Sequence, residues 1–169
     1  NKSIVDLVNK GIVHIVEPKL NEYVENAVKK NKLSANLTPL KSDIFIIAVP
    51  TPLKNKKPDV SFVESAIDMI IPVIEKGNQI IIESTCPVGT TKSLAKKIYQ
   101  KSGLKEEEIF ISYCPERVLP GNIFFELENN DRVIGGINSN STKKTKKFYS
   151  SFIKGNLLET DCKTAEMVK

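Results

Sequence analysis

Asp43-Ile44-Phe45-Ile46-Ile47-Ala48-Val49 (DIFIIAV) decides the architecture: a short β-branched and aromatic run, closed by Pro50-Thr51-Pro52. It is too short for an ordinary helix and is stopped by proline, so it reads as a strand. Runs of the same kind return at Gln79 to Ile82 (QIII), Ile109 to Ser112 (IFIS) and Arg132 to Ile137 (RVIGGI). Between them, apolar residues recur at helical spacing over Val60 to Lys76, Thr90 to Lys101 and Ser141 to Ile153. Two further helices are predicted upstream, at Ser3 to Asn9 and Pro18 to Asn31. Strands alternating with amphipathic helices are the pattern of a parallel sheet, because parallel neighbours need a connection long enough to return across the sheet. The chain therefore reads as one α/β domain, a doubly wound parallel sheet. No internal repeat or low-complexity linker interrupts it.

Three predicted strands end in polar or proline-containing turns: Val49-Pro50-Thr51-Pro52, Glu83-Ser84-Thr85-Cys86-Pro87 and Cys114-Pro115-Glu116-Arg117. In open parallel sheets ligands bind beyond the carboxyl ends of the strands, so these turns are expected to converge on one site. The third belongs to YCPERVLPGN, in which Pro115 restricts Cys114 to extended backbone and Pro120-Gly121 signals a turn. A stiff backbone at a strand end suits a positioned acid or base, and Glu116 is the candidate. Pairing with Arg117 or a nearby lysine is the competing reading of Glu116. Thr51 and Thr85 are small hydroxyls at strand ends. Val88-Gly89-Thr90-Thr91 enters a helix, either as a cradle for a phosphate, a ribose or a carboxamide, or as ordinary capping by Thr90 or Thr91. The chain contains no GxGxxG, and VGTT lacks the GK[ST] of a P-loop, so no self-sufficient nucleotide site is legible.

With 169 residues and a net charge of +5, the chain can bury a core and carries a lysine excess. The densest patch is Thr142-Lys143-Lys144-Thr145-Lys146-Lys147. Nucleic-acid surfaces interleave aromatics with cations; here Phe148, Tyr149 and Phe152 follow at helical spacing, so a solvated helix face is preferred and no nucleic-acid partner is expected. No apolar run nears the roughly 20 residues that span a bilayer, and NKSIVDLVNKG lacks a secretory core, so no membrane partner and a cytoplasmic location are expected. Cys86, Cys114 and Cys162 are irregularly spaced and odd in number, which suits neither a disulfide framework nor a zinc site. They read as small reduced hydrophobes rather than nucleophiles. His14, the only histidine, has no second imidazole with which to hold a metal and reads as a packing or loop residue.

VPTPLKNKKPDVSFVESA, IIESTCPVGTT, YCPERVLPGN, NDRVIGG and the terminal TAEMVK, in that order, resemble the UDP-glucose/GDP-mannose dehydrogenase family. The resemblance spans nearly the whole chain and implies a Rossmann-like fold with NAD as cofactor. It also implies four-electron oxidation of a nucleotide sugar at C6, from alcohol through aldehyde to carboxylate, by way of a cysteine thiohemiacetal and thioester. The sugar nucleotide it suggests first is UDP-N-acetyl-D-mannosamine, with UDP-N-acetylglucosamine or UDP-glucose as alternatives. By matching positions, Thr51 and Thr85 would contact the cofactor, with Thr85 near the nicotinamide and the water. Glu116 would be the base in thioester hydrolysis, and Arg117 and Val118 would touch substrate. Lys169 would stabilise the developing oxyanion and also contact substrate.

The family's glycine-rich turn and first strand, and its GGxC nucleophile, have no counterpart in these residues. The chain therefore reads as an internal fragment: residues 1–160 an incomplete NAD-binding domain, 161–169 the start of a central connecting helix. Sheet edges are expected to be left unpaired, the fragment itself to be inactive, and a homo-oligomer to form through segments outside these residues. From a different class, a noncatalytic module that binds a nucleotide or a protein is the alternative.

Overall fold

The computed structural model describes residues 1–119 and 121–169. Pro120, the proline of the Pro-Gly turn signal, lies outside the described residues. After helices α1 (Lys2–Asn9) and α2 (Leu20–Lys29) come strand β1 (Ile44–Ile47), a short hairpin of β2 (Leu53–Lys54) and β3 (Lys57–Pro58), and helix α3 (Ser61–Ile70). Then follow β4 (Gln79–Ile82), α4 (Thr90–Ser102), β5 (Phe110–Tyr113), α5 (Ile123–Asn129), β6 (Arg132–Gly136), α6 (Ser139–Tyr149), β7 (Leu157–Asp161) and α7 (Cys162–Val168). Two compact units result: Asn1–Pro39 with Val118–Glu126, and Leu40–Arg117 with Leu127–Lys169.

In the first unit α1 and α2 bury no residue fully. Polar clamps hold it instead. The Asn9 side-chain amide donates to the Ala35 carbonyl (2.9 Å) and accepts from the Ala35 N–H (2.7 Å), and the Glu17 carboxylate accepts from the N–H groups of Gly121 and Ile123. Tyr23 stacks on Phe124 at 4.4 Å between ring centroids.

The second unit is built on a five-stranded sheet in the order β1-β4-β5-β6-β7. β4 is buried at every position because it is an inner strand, with β1 and β5 parallel on either side. Alternation along β4 sends Ile80 and Ile82 into one core with Val63 and Ile67 of α3, Leu94 and Ile98 of α4 and Ala165 of α7. Ile81 points the other way, to Cys114, Ile134, and Tyr149 of α6. Helices therefore cover both faces. β1 lies at the sheet edge, and Ile46 stands exposed between buried Phe45 and Ile47.

One pairing departs from the expectation of a parallel sheet: β6 pairs antiparallel with β5, Ser112 opposite Gly136, and β7 pairs parallel with β6, so both run against the other three strands. The physical reason lies in the connection. Among the described residues, the helix between β5 and β6 is α5, seven residues of which none is fully buried. Apolar as α5 is (IFFELEN), it buries none of its residues fully against the sheet; the connection does not recross it, and the next strand returns in the opposite sense.

Helix limits differ from the periodic reading where local chemistry intervenes. The helix predicted to Lys76 stops at Ile70 and passes into a 3₁₀ turn, Ile71–Val73, because Pro72 cannot continue the ladder. α6 ends at Tyr149, where the hydroxyls of Ser150 and Ser151 bond back to the carbonyls of Lys147 and Phe148. The β2–β3 hairpin, α5 and β7 were not legible from periodicity. In the hairpin, Asn55 and Lys56 both take positive φ, which matches the right-handed strand twist. Among the described residues no helix is long and apolar enough to cross a membrane, and no cluster of His, Cys, Asp or Glu could hold a metal ion.

Candidate active site

The carboxyl ends of β1 and β4 are tied together by one buried hydroxyl. Ser84 Oγ accepts from the Val49 N–H (2.8 Å) and donates toward the Val49 carbonyl (2.8 Å), while the N–H groups of Glu83 and Ser84 both reach the Ile47 carbonyl. This pins the VPTP turn against the ESTCP turn. Between them opens a cavity of about 380 Å³ whose lining includes Thr51, Glu83, Ser84, Thr85, Glu116 and Lys169.

Glu116 arrives from β5. The Cys114 N–H still bonds to Ile82 O at 3.0 Å, Pro115 is buried, and the backbone then turns at half-buried Glu116. Lys169 arrives after α7, and its ammonium donates to the Glu116 main-chain carbonyl. Four of the residues singled out in the sequence, Thr51, Thr85, Glu116 and Lys169, thus meet at one cavity. Arg117 does not line it: its guanidinium donates to the Asp131 carbonyl (2.7 Å), and its own carbonyl accepts from Asn130 Nδ2 (3.3 Å). Val118 packs in the first unit.

VGTT is neither an open cradle nor capped by its own threonines. Gly89, at φ 97°, precedes α4, and the N–H groups of Gly89 (2.6 Å) and Thr91 (2.7 Å) both donate to the Glu166 carboxylate. The Thr91 hydroxyl donates to it as well, at 2.6 Å. A buried carboxylate from α7 therefore occupies the anion position at the head of α4. Asp161 caps α7 in turn, and the hydroxyl and N–H of Thr164 hold the Asp161 carboxyl below its ordinary range.

All three cysteines are buried and reduced. Burial, with Glu166 adding to it, pushes the Cys86 thiol up to about 12. Burial pushes Cys114 up to about 11 against the lowering effect of Arg132, and Cys162 is raised mainly by burial. Burial and a raised thiol are the surroundings of small packed hydrophobes. His14 is exposed in the loop after α1. In the lysine patch Lys144 lies over the Phe110 ring and Lys146 pairs with Glu159, so the patch is a helix face engaged with its own protein.

Sequence reasoning passed over Glu83. It stands inside a flagged turn, but its partners, Arg132 and Tyr149, lie far along the chain. The lone arginine of NDRVIGG, entering a buried strand, was the available signal.

Residues 1–153 match the UDP-glucose/GDP-mannose dehydrogenase family, NAD binding domain. The chain is 42% identical over 178 aligned positions to UDP-N-acetyl-D-mannosamine dehydrogenase of Escherichia coli (strain K12), covering all of this chain and 42% of that protein. Identity and coverage are the same for NDP-N-acetyl-D-galactosaminuronic acid dehydrogenase of Ralstonia nicotianae. The fold matches the native structure of the UDP-N-acetyl-mannosamine dehydrogenase from Staphylococcus aureus with a TM-score of 0.95 at 41% identity, over 99% of this chain and 42% of that one. The chain thus spans about two fifths of the length of these relatives. On these grounds the chain belongs to the UDP-glucose/GDP-mannose dehydrogenase family, and NAD is the cofactor of the domain it carries.

Proposed function

We propose that the protein containing this chain oxidises the C6 alcohol of a UDP-sugar to a carboxylate, consuming two NAD+ and one water, with UDP-N-acetyl-D-mannosamine as the sugar nucleotide. The observation that carries this reading is the meeting of Thr51, Thr85, Glu116 and Lys169 at one cavity beyond the carboxyl ends of two parallel strands. The donor set fits a nicotinamide nucleotide: hydroxyls for polar edges, carboxylates for ribose or water, and an ammonium for developing negative charge. NAD+, when bound, supplies the hydride acceptor. Thr51 and Thr85 hydrogen-bond the cofactor, and Glu116 takes the proton of the water that hydrolyses the acyl intermediate.

Lys169 stabilises the oxyanion, and its bond to the Glu116 carbonyl keeps the ammonium on the same side of the cavity as that base. Arg117 and Val118 contact the sugar nucleotide. Cys86, Cys114 and Cys162 do not supply the thiol in this reading: each is buried, and burial raises each thiol above its ordinary range. Residues 1–160 act as part of the NAD-binding domain and 161–169 as the start of a connecting helix, in a cytoplasmic homo-oligomer. The equal identity to the relative named for NDP-N-acetyl-D-galactosaminuronic acid supports a second reading, in which the sugar is that epimer.

The test is stoichiometric. The intact protein, given UDP-N-acetyl-D-mannosamine and excess NAD+, yields about two NADH per sugar, because the aldehyde stays bound to the enzyme for the second oxidation. A yield of one with aldehyde released refutes the four-electron scheme, and turnover only with the galacto epimer selects the second reading.

A further inference from the structure

We infer that Glu83 is a fixed acceptor for the hydroxyls of the ribose adjoining the nicotinamide; this rests on the proposed binding of NAD. Glu83 follows Ile81 by two residues and so falls on the sheet face covered by α6. A carboxylate there is costly unless matched, and two groups match it from behind. The Tyr149 hydroxyl, at the end of α6 and 1% exposed, donates to Glu83 Oε1 at 2.6 Å. Arg132, at the start of β6 and 4% exposed, approaches the same oxygen at 3.4 Å while its guanidinium lies 5.2 Å from the centre of the Tyr149 ring.

Both partners converge on Oε1. A purely structural arginine–carboxylate pair is best made with two parallel bonds at shorter range, using both oxygens. Here Oε2 has no donor among the described residues. Nor is it sealed in the core: among the described residues, the buried side-chain polar atoms without partners are the hydroxyls of Tyr99 and Tyr113. Glu83 lines the cavity beside Thr85, and the open oxygen is assigned to that cavity because Oε1 is the oxygen held by Tyr149 and Arg132.

An acceptor-only group held in this way calls for a hydroxyl or N–H donor and repels a diphosphate. The portion of a dinucleotide that suits it is a ribose diol, and the neighbouring Thr85, read in the proposed function as a cofactor contact beside the nicotinamide, assigns it to that half. Glu83→Gln tests the geometry cleanly. The Tyr149 and Arg132 donors retain the amide oxygen on their side, which turns the amide N–H₂ to the cavity and replaces an acceptor with a donor.

In the intact protein, calorimetric titration with NAD+ and with ADP separates the two halves of the cofactor. Glu83→Gln is expected to weaken NAD+ roughly ten- to hundredfold, the loss of a hydrogen bond to a charged group, and to leave ADP unchanged. Should that variant fail to fold, Glu83→Asp keeps the counter-charge for Arg132 but withdraws the carboxylate by one methylene, and must lose the same NAD+ preference. A folded variant with wild-type NAD+ affinity overturns the inference alone, and so does an equal loss for NAD+ and ADP, which marks a structural ion pair. A wild-type protein that binds ADP but gains nothing from the nicotinamide half overturns the inference and the proposed function together.

Discussion

Glu116 is half-buried directly after a buried proline, and its carbonyl is engaged by Lys169, so its backbone has little room to swing. If its carboxylate is the hydrolytic base, Glu116→Gln keeps the shape and removes the proton acceptor. Turnover then slows by roughly two to four orders of magnitude, and an acyl-enzyme builds up after a burst of NADH. Mass spectrometry of quenched enzyme reads this directly; wild-type turnover, or a loss without adduct or burst, leaves Glu116 as an ion-pair partner. Lys169→Ala impairs the steps that pass through an oxyanion while NAD+ titration stays near wild type. The cysteines make a separate prediction. With folded-state values of about 12 for Cys86 and about 11 for Cys114, both thiols remain protonated at pH 8, and both are buried. Thiol titration at pH 8 should find neither until the chain unfolds, and rapid labelling of either in native protein contradicts the packing around it. Because these values are raised, the stability they confer is complete below the ordinary thiol range, about 8.5, and is lost as pH rises toward 12.

Elements are joined here by side chains acting on distant backbone. Glu166 of α7 satisfies two N–H groups and a hydroxyl at the head of α4, which orders the segment that follows Thr85 and holds α7, the helix that precedes Lys169. Glu166→Ala strands these donors in a buried place and is expected to cost about 2–4 kcal/mol, measured by denaturant titration of the intact protein. A change within about 0.5 kcal/mol means that water replaces the carboxylate without loss. The contact of β6 with α7 is as tight. A Cβ on Gly135 would meet the Asp161 carbonyl oxygen at 2.3 Å and the Ala165 Cβ at 2.8 Å, so strand and helix approach through the missing side chain. Gly135→Ala must push the two apart, at a cost of roughly 1–3 kcal/mol.

Across the whole chain, order is unevenly supported. The sheet unit has two apolar clusters enclosing β4, whereas α1 and α2 bury no residue fully and depend on clamps such as Asn9 with Ala35. Native-state hydrogen exchange should therefore grade the molecule, with slowest exchange in β4, β5 and α4 and fast exchange in α1 and α2. Equal protection throughout residues 1–169 contradicts this distribution of core.

The sequence by itself determined the strands centred on DIFIIAV, QIII, IFIS and RVIGG, the faces of α3 and α4, the burial of the cysteines, and the turns that meet at the cavity. These are local properties, carried by periodicity and by proline and glycine within a few residues. Tertiary structure alone decided that β6 runs antiparallel to β5, since pairing direction depends on whether a connection can pack across the sheet. It alone joined Glu83 to Arg132 across 49 residues, Glu166 to Gly89 across 77, and Lys169 to Glu116 across 53. Such partners are chosen by where packed elements bring buried polar atoms, each of which must find a hydrogen bond, and local pattern holds no record of that choice.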